Sequence, residues 1–175
     1  MFINRPPLHP GWSVVPTVLG LLGCSVPTSI KARLVRLLAA LAKSADIVHP
    51  LWAAIESANL VGGGARGGMV AELEEVESRA EEFPLTIAFI SLLDRLTDTS
   101  IPGALGAGTR NPGFHPYLSF VQDSVFLKFH TRTYREPGER WAVAAASLQL
   151  LHKLLVEYQP SVEEFHGSGG SLAPG

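Results

Sequence analysis

Residues 69–96 read MVAELEEVESRAEEFPLTIAFISLLDRL, and this stretch decides the fold class. Its first half places Met69, Leu73, Val76, Ala80 and Phe83 at spacings of 4, 3, 4 and 3, which is the repeat of one narrow apolar stripe on a helix. Glu72, Glu74, Glu75, Glu77, Glu81 and Glu82 fill the remaining faces, so that helix reads as half exposed, with Glu75 in reach of Arg79 one turn on. Pro84 then stands where a first helical turn tolerates a missing N–H. Behind it Leu85, Ala88, Phe89, Leu92, Leu93 and Leu96 give a wide apolar face that stops near Thr99. Two helices joined by a proline, one amphipathic and one apolar over most of its girth, describe a helix pair with further helices packed on it.

The same period runs outward in both directions. Upstream, Thr28 or Ser29 caps a helix whose Ile30, Leu34, Leu37, Leu38 and Leu41 share one face, with Lys31, Arg33 and Arg36 away from its centre. A second helix covers Asp46 to Ala58, with Leu51, Ala54, Ile55 and Ala58 inward and Pro50 opening or kinking it. Gly62, Gly63, Gly64, Gly67 and Gly68 end it in a mobile loop. Downstream, residues 100–115 read as a structured loop, Pro116 to Tyr134 as a fifth helix buried on more than one face, and Glu136-Pro137-Gly138 as a break. A sixth helix spans about Glu139 to Tyr158 with two stripes, Trp141, Ala144, Ala145, Leu148, Leu151, Leu155 and Val143, Leu150, Leu154.

Helix pairs therefore occupy residues 27–59, 69–99 and 114–159, starting at intervals of 42 and 45, which lies in the range of HEAT and armadillo repeats. The expected architecture is all-α: an α-solenoid segment of about six helices in stacked antiparallel pairs, each pair too small to bury its apolar face alone. Residues 1–26 form a lead-in with a short helix carrying Trp12, Val15, Leu19 and Leu22, and residues 160–175 a flexible Gly/Ser tail.

The chain has 175 residues, enough for one domain of ordinary size. With 46% hydrophobic and 17% charged residues, disorder is excluded for most of it, and a net charge of −2 does not support a basic nucleic-acid binder. The single cysteine, Cys24, cannot close an internal disulfide and reads as a buried structural thiol. The run from Val14 to Val26 is too short and too interrupted to span a membrane, and Leu21-Leu22-Gly23-Cys24 fails as a lipoprotein signal because its flanks hold prolines and one cation. The lack of a leader fits a fragment of a longer chain.

Chemistry is hard to place. Six histidines show no metal-ligand spacing, so no metal and no cofactor are expected. The glycine tracts 62–68 and 103–108 follow no strand and lack the Gly-Lys-Ser/Thr of a phosphate loop. One basic cluster, Lys128, His130, Arg132, Arg135 and Arg140, is interleaved with Phe126, Phe129 and Tyr134. Within it Arg132, Tyr134, Arg135 and Arg140 are the candidate protein interface, since Arg and Tyr commonly anchor one. An enzyme is not expected.

Four segments carry a resemblance: Glu74 to Thr86 (EEVESRAEEFPLT), Leu105 to Phe120 (LGAGTRNPGFHPYLSF), Asp123 to Arg135 (DSVFLKFHTRTYR) and Trp141 to Phe165, with its Leu-Leu-x-Lys-Leu-Leu and Tyr-x-Pro. Over about residues 25–165 the chain resembles a middle fragment of the large inner-ring scaffold nucleoporins of the nuclear pore complex, the nucleoporin 205 kind of animals and its fungal counterpart, nucleoporin 192. The sister nucleoporin 188 kind matches the loop motif less well. The resemblance implies an extended right-handed α-solenoid at the nuclear envelope that holds linker and scaffold nucleoporins and supports transport of protein and mRNA. It also implies no cofactor, no small-molecule substrate, no direct nucleic acid, no membrane insertion, and oligomerisation only through the pore assembly. Linker-binding residues of the family cannot be carried onto this segment. None of the eight phenylalanines precedes a glycine, so the chain is not part of the Phe-Gly barrier. The alternative from the repeat spacing alone is a transport-receptor-like HEAT module that binds soluble cargo.

Overall fold

A computed structural model describes residues 14–62, 68–98 and 114–157, and Pro84 opens a helix in it as its place at a first turn requires. Seven helices follow one another among these residues: α1 Val14–Leu22, α2 Thr28–Leu41, α3 Ala45–Ala58, α4 over 68–80, α5 Pro84–Leu96, α6 over 115–131 and α7 Pro137–Glu157. The described residues contain no strand, and no helix among them is long and apolar enough to cross a membrane. The glycine tract 63–67, most of the Leu105 to Phe120 motif, Trp12 and the 160–175 tail lie outside the described residues.

The helices form two layers. α5 is the centre of the first, with α2 along one side and α7 along the other, and α1, α3, α4 and α6 make the second. In α5 Leu85, Ala88, Phe89, Ile90, Leu92, Leu93 and Leu96 are all essentially inaccessible, so the wide apolar face of the sequence is wide because two helices flank it. The closest neighbour of α2 is α5, not the sequence-adjacent α3. The expected stack of separate hairpins thus becomes layers that share one continuous core, from Val18 in α1 to Leu154 in α7.

Three faces differ from the periodicity. On α2 the buried residues are Lys31, Ala32, Val35 and Leu38, while Ile30 and Leu37 are exposed. The helix is rotated by about one residue because small Ala32 lets its backbone approach α5, where Ala88 is equally buried. Lys31, expected toward the edge, is held by an ion pair with Glu72 of α4. On α3 the core face is Val48, Leu51, Trp52 and Ile55, and Trp52 meets Phe114 and Tyr117 edge-on at centroid distances of 5.9 and 5.3 Å. The left-handed residue that ends α3 is Asn59, at φ 48° and ψ 48°, and not a glycine of the tract.

The third difference is in α4, where Glu72–Glu77 winds as a π-helix between the α-turns Gly68–Ala71 and Ser78–Ala80. The Ser78 N–H and hydroxyl both donate to the carbonyl of Leu73, five residues back. The wider turn carries Val76 out to solvent and brings Glu77 to full burial. A carboxylate expected on the solvated face thus sits in the core, and the Glu75–Arg79 pair does not form among the described residues.

Candidate interaction surface at the α6–α7 connection

The basic cluster lies where α6 changes its winding. Residues 115–131 begin as an α-turn at His115–Ser119, widen to a π-helix at Phe120–Val125 and tighten to a 3-10 helix at Phe126–Thr131. The wide part buries Phe120, Val121 and Val125, and Phe120 meets Phe89 of α5 at 5.6 Å. The tight part leaves Leu127 exposed. The helix expected to run to Tyr134 ends at Thr131, because Arg132 is extended at φ −84° and ψ 149°. Residues 132–136 form a strap, and the expected break at Glu136-Pro137-Gly138 is instead the start of α7, with Pro137 in its first turn.

A switch from π to 3-10 winding leaves carbonyls without the usual donor, and the strap supplies one. Arg132, 9% exposed, donates to the carbonyls of Ser124 at 2.7 Å and Val125 at 3.4 Å and to Glu74 of α4 at 2.8 Å. Its guanidinium closes the winding change and ties α6 to α4. Tyr134 donates its hydroxyl to the Phe129 carbonyl at 2.9 Å and lays its ring against Phe83 at 4.7 Å. Burial pushes the Tyr134 phenol up from its ordinary value, against the pull of the Arg132 and Arg140 charges. Arg135 donates to Glu82 and, at 3.0 Å, to the Ala80 carbonyl at the end of α4, while its own N–H donates to the Glu81 carbonyl.

Arg140 differs from these. Its guanidinium carbon lies 5.6 Å from the centroid of the Tyr134 ring, a cation–π contact, and among the described residues it has no carboxylate partner. Beside it an open groove of about 470 Å³ is lined by His130, Thr131, Arg132, Thr133, Tyr134, Pro137, Arg140 and Trp141. Trp141, on the rim, is 66% exposed. The structure thus brings all four candidates together, and it divides them. Arg132, Tyr134 and Arg135 spend their polar atoms inside the protein, whereas the donors of Arg140 remain open to a ligand.

Two carboxylates went unnoticed in the sequence because their partners are distant or backbone. The N-terminus of α5 has no side-chain cap of its own. Glu77 of α4 accepts from the N–H of Leu85 at 2.6 Å, the N–H of Thr86 at 3.1 Å and the Thr86 hydroxyl at 2.5 Å. Glu139 of α7 accepts from the N–H of Phe83 at 2.9 Å. Two helices therefore cap a third, satisfying donors that α5 would otherwise bury unpaired. Burial dominates at Glu77 and raises its carboxyl to about 7, with the Thr86 and Leu85 hydrogen bonds opposing and the Glu139 charge adding a smaller rise.

Nothing at these positions assembles a reacting group. Among the described residues no three of His, Cys, Asp and Glu gather as metal ligands. Cys24, expected to be buried, is exposed just beyond the end of α1, where its thiol donates to the Gly20 carbonyl at 3.4 Å, because that end of the helix has no neighbour over it. His49 and His152 are exposed on their helices.

Comparison with known proteins identifies the architecture. Residues 7–171 match the model of the family described as nuclear pore complex scaffold, nucleoporins 186/192/205. The chain is 46% identical over 163 residues to "Nuclear pore complex protein Nup205" of Homo sapiens and 38% identical over 163 residues to the protein of that name from Drosophila melanogaster, each match covering 90% of this chain and 8% of the relative. "Nucleoporin NUP188" of Mus musculus is 31% identical over 102 residues, 58% of the chain and 5% of that relative. The chain therefore spans less than a tenth of the length of the animal Nup205 relatives it matches. Helices that share one core in two layers, and a family match over nearly the whole length, lead to one assignment: the chain belongs to the nuclear pore complex scaffold family of nucleoporins 186/192/205.

Proposed function

We propose that the chain is a structural segment of the inner ring of the nuclear pore complex, at the nuclear envelope. There it keeps other nucleoporins, linker and scaffold, in fixed relative positions and so supports the passage of protein and mRNA. It performs no chemistry, inserts into no membrane, binds no nucleic acid directly and oligomerises only through the pore. The observation that carries this reading is the continuous core shared by α2, α5 and α7, in a chain whose family is a scaffold. Such a core resists bending between repeats, which a scaffold needs. The buried polar contacts point the same way. Arg132, Glu77 and Glu139 each bind helix to helix, and none is presented to a substrate.

The test is affinity purification of the tagged full-length protein from nuclear envelopes. Other nucleoporins are expected in stoichiometric amounts, with fluorescence of the tag at the nuclear rim. Recovery of the protein alone, or with soluble cargo and a small GTPase, would overturn the reading in favour of a transport receptor.

A further inference from the structure

We propose that the groove at the α6–α7 connection, together with the apolar stripe that continues from it along α7, is a docking site for an acidic, amphipathic helical segment of a partner protein. The inference rests on the scaffold reading in that it names the face by which a partner is held.

The stripe begins at the groove. Trp141, Ala145, Leu148, His152 and Leu155 stand at i, i+4, i+7, i+11 and i+14, one face of α7 over a length of about 21 Å. All five are exposed, with Trp141 at 66%, Leu148 at 51% and Leu155 at 60%. The opposite face, Val143, Ser147, Leu150 and Leu154, is buried against the core, so the exposed stripe is not a misplaced core face. Four turns of unpaired apolar surface match the footprint of an amphipathic helix bearing its own i, i+4, i+7 anchors.

Charge decides the chemistry of the occupant. Arg140 and His130 both line the groove, and no carboxylate does. Glu139, the neighbour of Arg140, is turned inward to the N–H of Phe83. Arg140 is prepositioned over Tyr134 with its donors unspent, next to an exposed indole, and Arg, Tyr and Trp are the residue types that concentrate binding energy at interfaces. A carboxylate-bearing segment complements this end, and its apolar face complements the stripe. A second copy of the chain fits less well, because no position of the stripe carries an acid to offer Arg140. The same basic groove could attract the phosphates of RNA, but the apolar stripe gives a polynucleotide nothing to bind.

The 175-residue chain can be titrated into a fluorescein-labelled 18-residue peptide with Leu at i, i+4, i+7 and i+11 and Glu at four positions near one end. Saturable binding is expected, with a blue shift of tryptophan emission that disappears in Trp141→Phe. Binding should weaken about tenfold or more in Arg140→Glu, in Leu148→Glu, or when the four Glu of the peptide become Gln. Arg36→Glu, on the exposed side of α2, should leave it unchanged. Matching urea midpoints of the variants separate lost binding from lost folding. Equal affinity for the Gln peptide, no binding at all, preference for a labelled oligouridine, or burial of Trp141 by self-association in sedimentation would each overturn the proposal. The scaffold reading fails separately, in the purification from nuclear envelopes.

Discussion

α5 and α7 look alike as strings of letters, each a long helix with more apolar residues than one stripe needs, and they meet opposite fates. α5 is covered on both sides, by α2 and α7, and its polar Thr86 is buried under a carboxylate. α7 is covered on one side only, where Val143, Leu150 and Leu154 face α5 and α6, while Trp141, Leu148 and Leu155 face outward. The contrast shows that a surplus of apolar residues gives the number of surfaces a helix is built to meet, and that position in the array decides how many of them are met within the chain. It also separates two uses of apolar surface. In α5 it stabilises the fold, and in α7 it is left available.

The contrast breaks most directly by truncating one residue on each helix. Phe89 is fully buried and touches Phe120, so Phe89→Ala removes both its transfer energy and its packing partner and is expected to cost about 3–5 kcal/mol. Leu155→Ala on the open face of α7 should stay within about 0.5 kcal/mol. Urea denaturation followed by far-UV circular dichroism measures both. Comparable losses would mean that α7 is covered on that face too.

A second test sharpens the distinction at the capped end of α5. Glu77 has its carboxyl raised to about 7 in the folded protein, above 4.5 when unfolded, so the folded state binds the extra proton between these values. The stabilisation from this group is present in full below pH 4.5 and is lost as pH rises through 7, a change of about 3 kcal/mol at most. Glu77→Gln cannot titrate and should flatten the fall in urea midpoint between pH 5 and 8, an interval in which no residue of α7 with exposed side chain contributes a matching slope. An unaltered pH profile in the variant would show that the Leu85 and Thr86 donors keep the carboxylate ionised throughout.

These two residues also mark how far the sequence could be read. Phe89 was legible: it lies on the apolar face at the α period, and α-winding holds throughout α5. Glu77 was not, because the period used to place it is that of an α-helix and α4 is π-wound from Glu72 to Glu77. One widened turn exchanges the places of Val76 and Glu77. The same error recurs at α6, where π and 3-10 turns end the helix three residues before Tyr134 and turn Arg132 inward. Local period cannot report changes of winding that tertiary contacts impose. On α2 the helix was legible and its rotation was not, since the face chosen depends on how closely Ala32 can approach a helix more than fifty residues away. The interaction cluster was found through its composition, yet Arg140 is separated from Arg132 and Arg135 only by knowing which carbonyls and carboxylates surround each.

That separation gives the smallest of the expected effects and the finest version of the comparison, now between two arginines three residues apart. Arg132→Ala leaves the carbonyls of Ser124 and Val125 without their side-chain donor and removes the link to Glu74, which should cost about 2 kcal/mol. Arg135→Ala breaks a pair with Glu82 in which both side chains are about half exposed, and water can replace the guanidinium at the Ala80 carbonyl, so a loss below about 1 kcal/mol is expected. Raising the salt concentration to 1 M should erase most of the difference between wild type and Arg135→Ala and little of that between wild type and Arg132→Ala, because screening reaches the exposed pair and not the buried one. Equal salt sensitivity of the two variants would place Arg132 at the surface and return it to the set of residues open to a partner.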